Sequence, residues 1–260
     1  MTIILRKFNI RNINSSSLIL IIGQDKSGKS CVTKDILYNH QYIKNGIIIS
    51  SKIEDKIIKY IPEIFIYEKY DKSIIKKFIK NQNITNTHSF IIFDDCFENN
   101  KIYNKYTHKL YSKKSHLNAL CIIEIKNISN ISKKIRNNID YIFILKNDLE
   151  HNKKLLYEYL SEILSIEYKL FLKLIDDYTS NYNFCIIDMK SESKYIEDKL
   201  YWYNTSFHPK FEINSDYNES NLIREEDKNI DDILFNRNFD DLVVYKQKNF
   251  NKYLDLSLVN

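Results

Sequence analysis

The sequence predicts an α/β fold, a mostly parallel β-sheet flanked by helices on both faces, with a polar C-terminal appendage. Three observations carry that expectation. Leu18 to Ile22 is an unbroken apolar run, the pattern of a strand buried on both faces. It runs straight into a glycine-bounded loop, Gly23 to Ser30, and then into a helical stripe. Further short apolar runs recur downstream and alternate with segments of helical spacing, as a parallel sheet with crossover helices requires.

Taken in order, Cys31 to Tyr38 places Val32, Ile36 and Leu37 on one helical stripe, and Gly46 to Ser50 reads as a second buried strand. Strand, glycine loop, helix and strand make a βαβ unit. Lys72 to Lys80 has Ile74, Ile75, Phe78 and Ile79 at helical spacing. After the polar stretch 81–89, a strand from Phe90 to Phe93 ends at Asp94-Asp95. Ala119 to Ile123 and Tyr141 to Leu145 are two more strand candidates. From Leu149 to Asp177 the pattern is helical, with Leu155, Leu156, Tyr159, Leu160, Ile163 and Leu164 on one side, and Phe184 to Met189 reads as a last strand. Residues 1–210 are expected to form one domain. Residues 211–260 turn acidic and polar, with apolar clusters only at 233–235 and 242–245, and are expected to be a partly ordered appendage.

Composition narrows the class. Of 260 residues, 43% are hydrophobic and 13% aromatic, a globular balance rather than a disordered one. Three glycines and two prolines against abundant Ile, Asn, Lys and Tyr suggest an AT-rich genome. No apolar run reaches the roughly 18 residues a membrane span needs, and charges in MTIILRKFNIRN leave no room for a signal peptide. The four cysteines (Cys31, Cys96, Cys121, Cys185) lack metal-ligand spacing and are expected to be reduced and buried. The net charge of +5 divides unevenly. Residues 1–150 carry 25 Lys and Arg against 14 Asp and Glu, whereas 151–260 carry 14 against 20. A basic N-terminal part suits a polyanionic partner, although solvated helix faces produce the same excess.

Gly23-x4-Gly28-Lys29-Ser30 satisfies the phosphate-binding P-loop pattern in full, and it sits between a buried strand and a helix as the pattern demands. Gly23, Gln24, Asp25, Lys26, Ser27, Gly28, Lys29, Ser30 and Cys31 are the expected nucleotide contacts. Their backbone N–H groups and the helix N-terminus point at phosphate oxygens. Lys29 is expected to reach the β- and γ-phosphates of ATP, and the Ser30 hydroxyl to ligate Mg2+. A hydrophobic strand ending in Asp94-Asp95 supplies the matching acids. Asp94 is expected on the metal and its water shell, and Asp95 on the attacking water. Without the P-loop upstream, that pair would read as an exposed strand-end turn. Arg136 lies between the fourth and fifth strand candidates, where a permanent cation can stabilise γ-phosphate charge; a plain surface arginine fits the position too. Lys113, Lys114, Lys133 and Lys134 fit a phosphate-backbone track or a solvated face.

With these residues in view, the chain resembles the DNA-packaging ATPases of poxviruses and other large nucleocytoplasmic DNA viruses, a branch of the HerA/FtsK superfamily. The likeness covers roughly residues 15 to 210. It rests on LILIIGQDKSGKS, GIIIS at 46–50, IFIYEKY at 64–70, FIIFDD at 90–95, ISKKIRNNIDYIFILK at 131–146 and KLYWYN at 199–204. The resemblance implies a P-loop NTPase that forms a homo-oligomeric ring. It would hydrolyse ATP with Mg2+ and drive double-stranded DNA, irrespective of sequence, into a capsid together with capsid or assembly proteins. The host cytoplasm at the viral factory, and the virion, are the implied locations. By position, Lys29 and Ser30 match the P-loop contacts, Asp94 with Asp95 the Walker B pair, and Arg136 the arginine after the fourth strand.

Two departures stand out. Relatives carry an arginine before the fourth strand where this chain has Ser115 in Lys114-Ser115-His116. They carry a polar sensor, typically Gln, after that strand, where this chain offers Lys126 or, on a shifted alignment, Glu124. Two other functions stay open on the sequence: a non-catalytic nucleotide-binding assembly protein, which the departures favour, and a small-molecule kinase. The second is weakened because Arg6, Arg11, Arg136, Arg224 and Arg237 form no lid-like cluster.

Overall fold

A computed structural model of the chain describes residues 3–50, 60–61, 65–97, 102–209, 211 and 213. The strands are β1 (Arg6–Lys7), β2 (Leu18–Ile22), β3 (Asn45–Ser50), β4 (Ile66–Tyr67), β5 (Ser89–Asp94), β6 (Ala119–Ile125), β7 (Tyr141–Ile144), β8 (Asn183–Asp188) and β9 (Leu200–Asn204). The helices are α1 (Lys29–Asn39), α2 (Lys72–Thr85), α3 (Lys105–Ser112), α4 (Lys133–Arg136), α5 (Glu150–Leu164) and α6 (Tyr168–Tyr178). Among the described residues the strands form one sheet in the order β1-β9-β8-β7-β2-β6-β5-β3-β4. All neighbouring pairs are parallel except β7–β8 and β8–β9, so β8 alone runs against the rest. The expected α/β architecture is present.

Continuous apolar runs became the central strands because helices cover both faces there. Every residue of β2, β5, β6 and β7 is buried. The edge strands β1 and β4 have two residues each, and β9, next to β1, is only partly buried; none of the three gave a strand signal.

The helical pattern over 149–177 resolves into two helices, α5 and α6. Ser165 ends α5 in the left-handed region (φ 50°), its N–H donating to the Ser161 carbonyl, and Glu167 begins α6 from an extended backbone. The consequence is topological. Two antiparallel helical passes return the chain to the carboxyl end of the sheet, and β8 must then run antiparallel to β7.

Cys121 and Cys185 are buried as expected, whereas Cys31 is exposed on α1 and Cys96 is half-buried. No helix among the described residues is long and apolar enough to cross a membrane. Apart from Phe211 and Ile213, the expected appendage 211–260 lies outside the described residues.

Candidate active site

The P-loop begins where β2 ends, and sterics dictate its glycines. Gly28 has φ +103°, a conformation L side chains avoid, and it serves as N-cap of α1. At Gly23 a β-carbon would lie 2.3 Å from Ser27 Oγ and 2.9 Å from Leu145 Cβ, so the loop closes only without one. The N-cap of α1 receives no side-chain hydrogen bond. The N–H groups of Lys29 and Ser30, the first two of the helix, have no intrahelical acceptors, whereas Cys31 N already donates to the Gly28 carbonyl at 2.9 Å, and Ser27 Oγ is buried with no partner among the described residues. A cradle of unsatisfied donors at a helix N-terminus suits an anion.

Lys29 is buried (8% exposed), and its ammonium donates to the carbonyls of Gly23 (3.0 Å) and Gln24 (3.2 Å). The charge therefore lies along the loop's inner wall. Gln24 Nε2 donates to Asn147 Oδ1 at 3.2 Å, tying the loop to the segment after β7. Lys126 pairs with Asp25 across 2.9 Å, a second tie from the end of β6. Lys26 holds a positive φ of 62° at the exposed turn of the loop.

Sheet order places the acids. β6 lies between β2 and β5, so three strand ends converge at the carboxyl edge. In register, Ile21 of β2 stands opposite Glu124, and Glu124 opposite Asp94, which is in turn opposite Ser50 of β3. Asp94 is buried and accepts from Ser50 Oγ at 2.7 Å. Asp95 follows with φ 47°, and its N–H donates to the Glu124 carbonyl at 3.1 Å. That turn swings Asp95 out of the strand into partial exposure. Cys96, its thiol pushed up to about 12 by burial and then by the charge of Asp94, donates to the carbonyls of Ile49 and Asp94.

Of the two sensor candidates, Lys126 and Glu124, it is Glu124 that occupies the place between the P-loop strand and the Asp94 strand. It is fully buried, accepts from Thr33 Oγ1 of α1 at 2.6 Å, and its second oxygen is unpartnered among the described residues. Burial first, then the charge of Asp94, push its carboxyl up to about 8, against the opposing pull of the Thr33 bond and Lys29. Thr33 and Ser50 carried no sequence signal of their own. Each became legible only when helix and strand ends met.

Because the folded value lies above the ordinary 4.5, Glu124 contributes stability that is full at low pH and is lost as pH rises towards about 8. In nucleotide-free protein, Glu124→Gln is therefore expected to gain several degrees in unfolding temperature over wild type between pH 5 and pH 8.5. A difference that stays constant with pH in thermal melts would show that Glu124 does not titrate there.

Arg136 is placed differently from the expectation. Its guanidinium donates to the carbonyls of Ile131 (2.8 Å) and Ile128 (3.0 Å) and lies 5.1 Å from the Tyr159 ring centroid. Its hydrogen bonds among the described residues are to its own loop, and no contact supports a reach to the P-loop of the same chain. Lys114 is also withdrawn from the surface. It bonds the Asn138 carbonyl at 2.8 Å and pairs with Asp140 at 3.2 Å, which accepts from Leu18 N. Ser115 lies in an exposed turn before β6, at the edge opposite the P-loop.

Ser30 and Asp94 offer only oxygen donors, the chemistry Mg2+ prefers, and Ser30 is the second residue of α1, beside the cradle. The donor set fits the cation.

No protein-family model matches the chain. It is 29% identical over 210 residues to protein 075L of Invertebrate iridescent virus 6, covering 76% of this chain and 80% of that one. It is 22% identical over 217 residues to protein L437 of Acanthamoeba polyphaga mimivirus, covering 76% of each. Among solved structures, the genome packaging NTPase B204 from Sulfolobus turreted icosahedral virus 2, in complex with sulfate, superimposes with a TM-score of 0.57 at 14% identity. That match covers 76% of this chain and all of B204. The pCW3 conjugation coupling protein TcpA, with ATPgS, gives 0.50 at 15% identity over 78% of this chain and 62% of its own. These likenesses concern the fold, and together with the strand order and the glycine loop they give the chain the fold of the P-loop NTPases that includes a viral genome-packaging enzyme.

Proposed function

We propose that this protein hydrolyses ATP, with Mg2+, to drive viral double-stranded DNA into a capsid as a homo-oligomeric ring. The observation that carries the reading is the convergence of Lys29, Asp94, Asp95 and Glu124 on three adjacent strand ends around an uncapped helix N-terminus. In this scheme the loop N–H groups and Lys29 hold the phosphates, and Ser30 and Asp94 hold the cation. Mg2+, when bound, neutralises charge between the β- and γ-phosphates. Asp95 orients the attacking water and takes its proton. Arg136 acts as a positioning residue, fixing the loop between β6 and α4.

DNA would be held by phosphate contacts rather than base edges, since a packaging motor ignores sequence. Between residues 101 and 139 the chain has nine Lys and Arg and a single acid, the buried Glu124. Lys105, His108 and Lys134 line an open groove of about 510 Å³ between α3 and α4, and Lys133 is exposed beside it. The groove lies on the connections that follow β5 and β6, near the carboxyl edge of the sheet where such folds meet their ligands. Lys114, being paired internally, takes no part.

Binding is therefore expected to be sequence-independent and to weaken with salt by about one log–log unit per phosphate contacted. Charge reversal of Lys133 and Lys134 to Glu should lower both affinity and slope. ATPase rates with and without double-stranded DNA, measured beside the oligomer mass, test the whole reading. A salt-insensitive affinity, or no hydrolysis by an assembled oligomer with DNA, would favour the non-catalytic assembly protein, for which Ser115 and the Lys126–Asp25 pair already speak. The viral factory in the host cytoplasm and the virion are the locations this function proposes, with capsid or assembly proteins as partners.

A further inference from the structure

The phosphate loop carries an acid of its own. Between Gly23 and Ser30 the sequence has two lysines, Lys26 and Lys29, and one carboxylate, Asp25. A triphosphate brings several negative charges to the same few residues. An uncompensated Asp25 would oppose the ligand that the loop is shaped to hold.

The structure brings a counter-charge from outside the loop. The last paired residues of β2 and β6 are Ile22 and Ile125, and Gly23 N donates to the Ile125 carbonyl at 3.1 Å. Lys126 therefore leaves β6 alongside the first residue of the loop. Its ammonium lies 2.9 Å from Asp25 Oδ2. Lys29 stands elsewhere, on the carbonyls of Gly23 (3.0 Å) and Gln24 (3.2 Å). Two ammonium groups thus meet three consecutive loop residues, one on the main chain and one on the acid.

Fold stability does not account for the Lys126–Asp25 pair. The two side chains are 36% and 57% exposed, and ion pairs so open to water contribute little to folding. The start of the loop is anchored without it, by Gly23 N on Ile125 O and by Gln24 Nε2 on Asn147 Oδ1 at 3.2 Å. What the pair changes is the charge presented to the cradle. With the ammonium in place, Asp25 and Lys126 make a neutral couple. Without it, a bare carboxylate stays in the loop.

We propose that Lys126 is a positioning residue for nucleoside triphosphate that acts through Asp25, neutralising the loop's own carboxylate so that the cradle accepts the phosphates. The inference rests on the nucleotide-binding part of the reading above and holds whether or not hydrolysis follows.

Lys126→Met keeps the stem and removes the charge, and Asp25→Asn removes the acid with little change of shape. ATPγS and ADP, each with Mg2+, are titrated into wild type, both single variants and the double variant, which close a cycle. Lys126→Met is expected to weaken ATPγS about tenfold. ADP, whose Mg2+ complex carries about half the net charge, should weaken only about threefold. Asp25→Asn should bind ATPγS several-fold more tightly, because the ammonium is then uncompensated, and the double variant should return to within about twofold of wild type. Lys126→Arg should bind like wild type. Raising salt from about 0.1 M to about 1 M should shrink the Lys126→Met loss, since the screening length falls from about 10 Å to about 3 Å. Unfolding temperatures should stay within about 2 °C of wild type throughout.

Weakening by both single variants would reduce the pair to a clasp on the loop and overturn the proposal. A double variant as weak as Lys126→Met would put the ammonium on the phosphates themselves and overturn it equally. So would a Lys126→Met protein that binds ATPγS like wild type. Wild-type protein that binds neither nucleotide would instead refute the P-loop site itself, and the Lys126 role with it.

Discussion

Replacing Lys29 with alanine is expected to abolish ATP hydrolysis, with a loss of at least about 10²–10³-fold, the scale of removing one donor from developing charge. The fold should survive. Among the described residues Lys29 bonds only two carbonyls of its own loop, Gly23 and Gln24, and the loop's shape is set elsewhere: by Gly28 at φ +103°, by the close approach at Gly23, and by Gly23 N donating to Ile125 O. An ammonium lying along the wall of the cradle can turn onto phosphate oxygens with little cost to the loop. Turnover and unfolding temperature, measured on the same preparation, separate the two effects. Unchanged turnover by a folded Lys29→Ala protein would sink the P-loop assignment.

Asparagine at position 95 should slow hydrolysis by roughly 10²–10⁴-fold, the usual scale for a lost general base, while nucleotide still binds. The substitution is well chosen for this backbone. Residue 95 sits at φ 47°, and Asn tolerates the left-handed region as Asp does, so the change removes charge without adding strain. The N–H bond to the Glu124 carbonyl is backbone and stays. Asp94→Asn should behave otherwise. That side chain is buried, accepts from Ser50, and faces Glu124 in register, so its loss should weaken Mg2+-dependent binding before it touches the chemical step. Binding constants with and without Mg2+, set beside single-turnover rates, distinguish the pair. Two variants alike in both measurements would show that the acids do not divide the work.

Local pattern was enough for much of this protein. The run Leu18–Ile22 announces a buried central strand, and Gly23, Gly28, Lys29 and Ser30 announce a phosphate loop, because each depends on residues a few positions apart. Asp94 and Asp95 were legible for the same reason, as the polar end of an apolar strand. Thr33 and Ser50 were not, since nothing near them in the chain signals chemistry. They matter through partners 91 and 44 positions away: Thr33 through Glu124, and Ser50 through Asp94.

The α/β class, the P-loop with its helix, and the acids at the end of β5 follow from short-range order and hydrophobic period along the chain. The remaining features arose only when distant segments packed together. Strand order put β6 between β2 and β5, which made Glu124 rather than Lys126 the neighbour of Asp94. Packing drew Arg136 onto its own loop and Lys114 onto Asp140, because a cation beside unsatisfied carbonyls or a carboxylate is better placed there than in water alone. A single left-handed residue, Ser165, split one helical pattern into two and so turned β8 against the sheet. Helical periodicity cannot report such a break, since the apolar stripe continues in register on both sides while only the backbone changes direction.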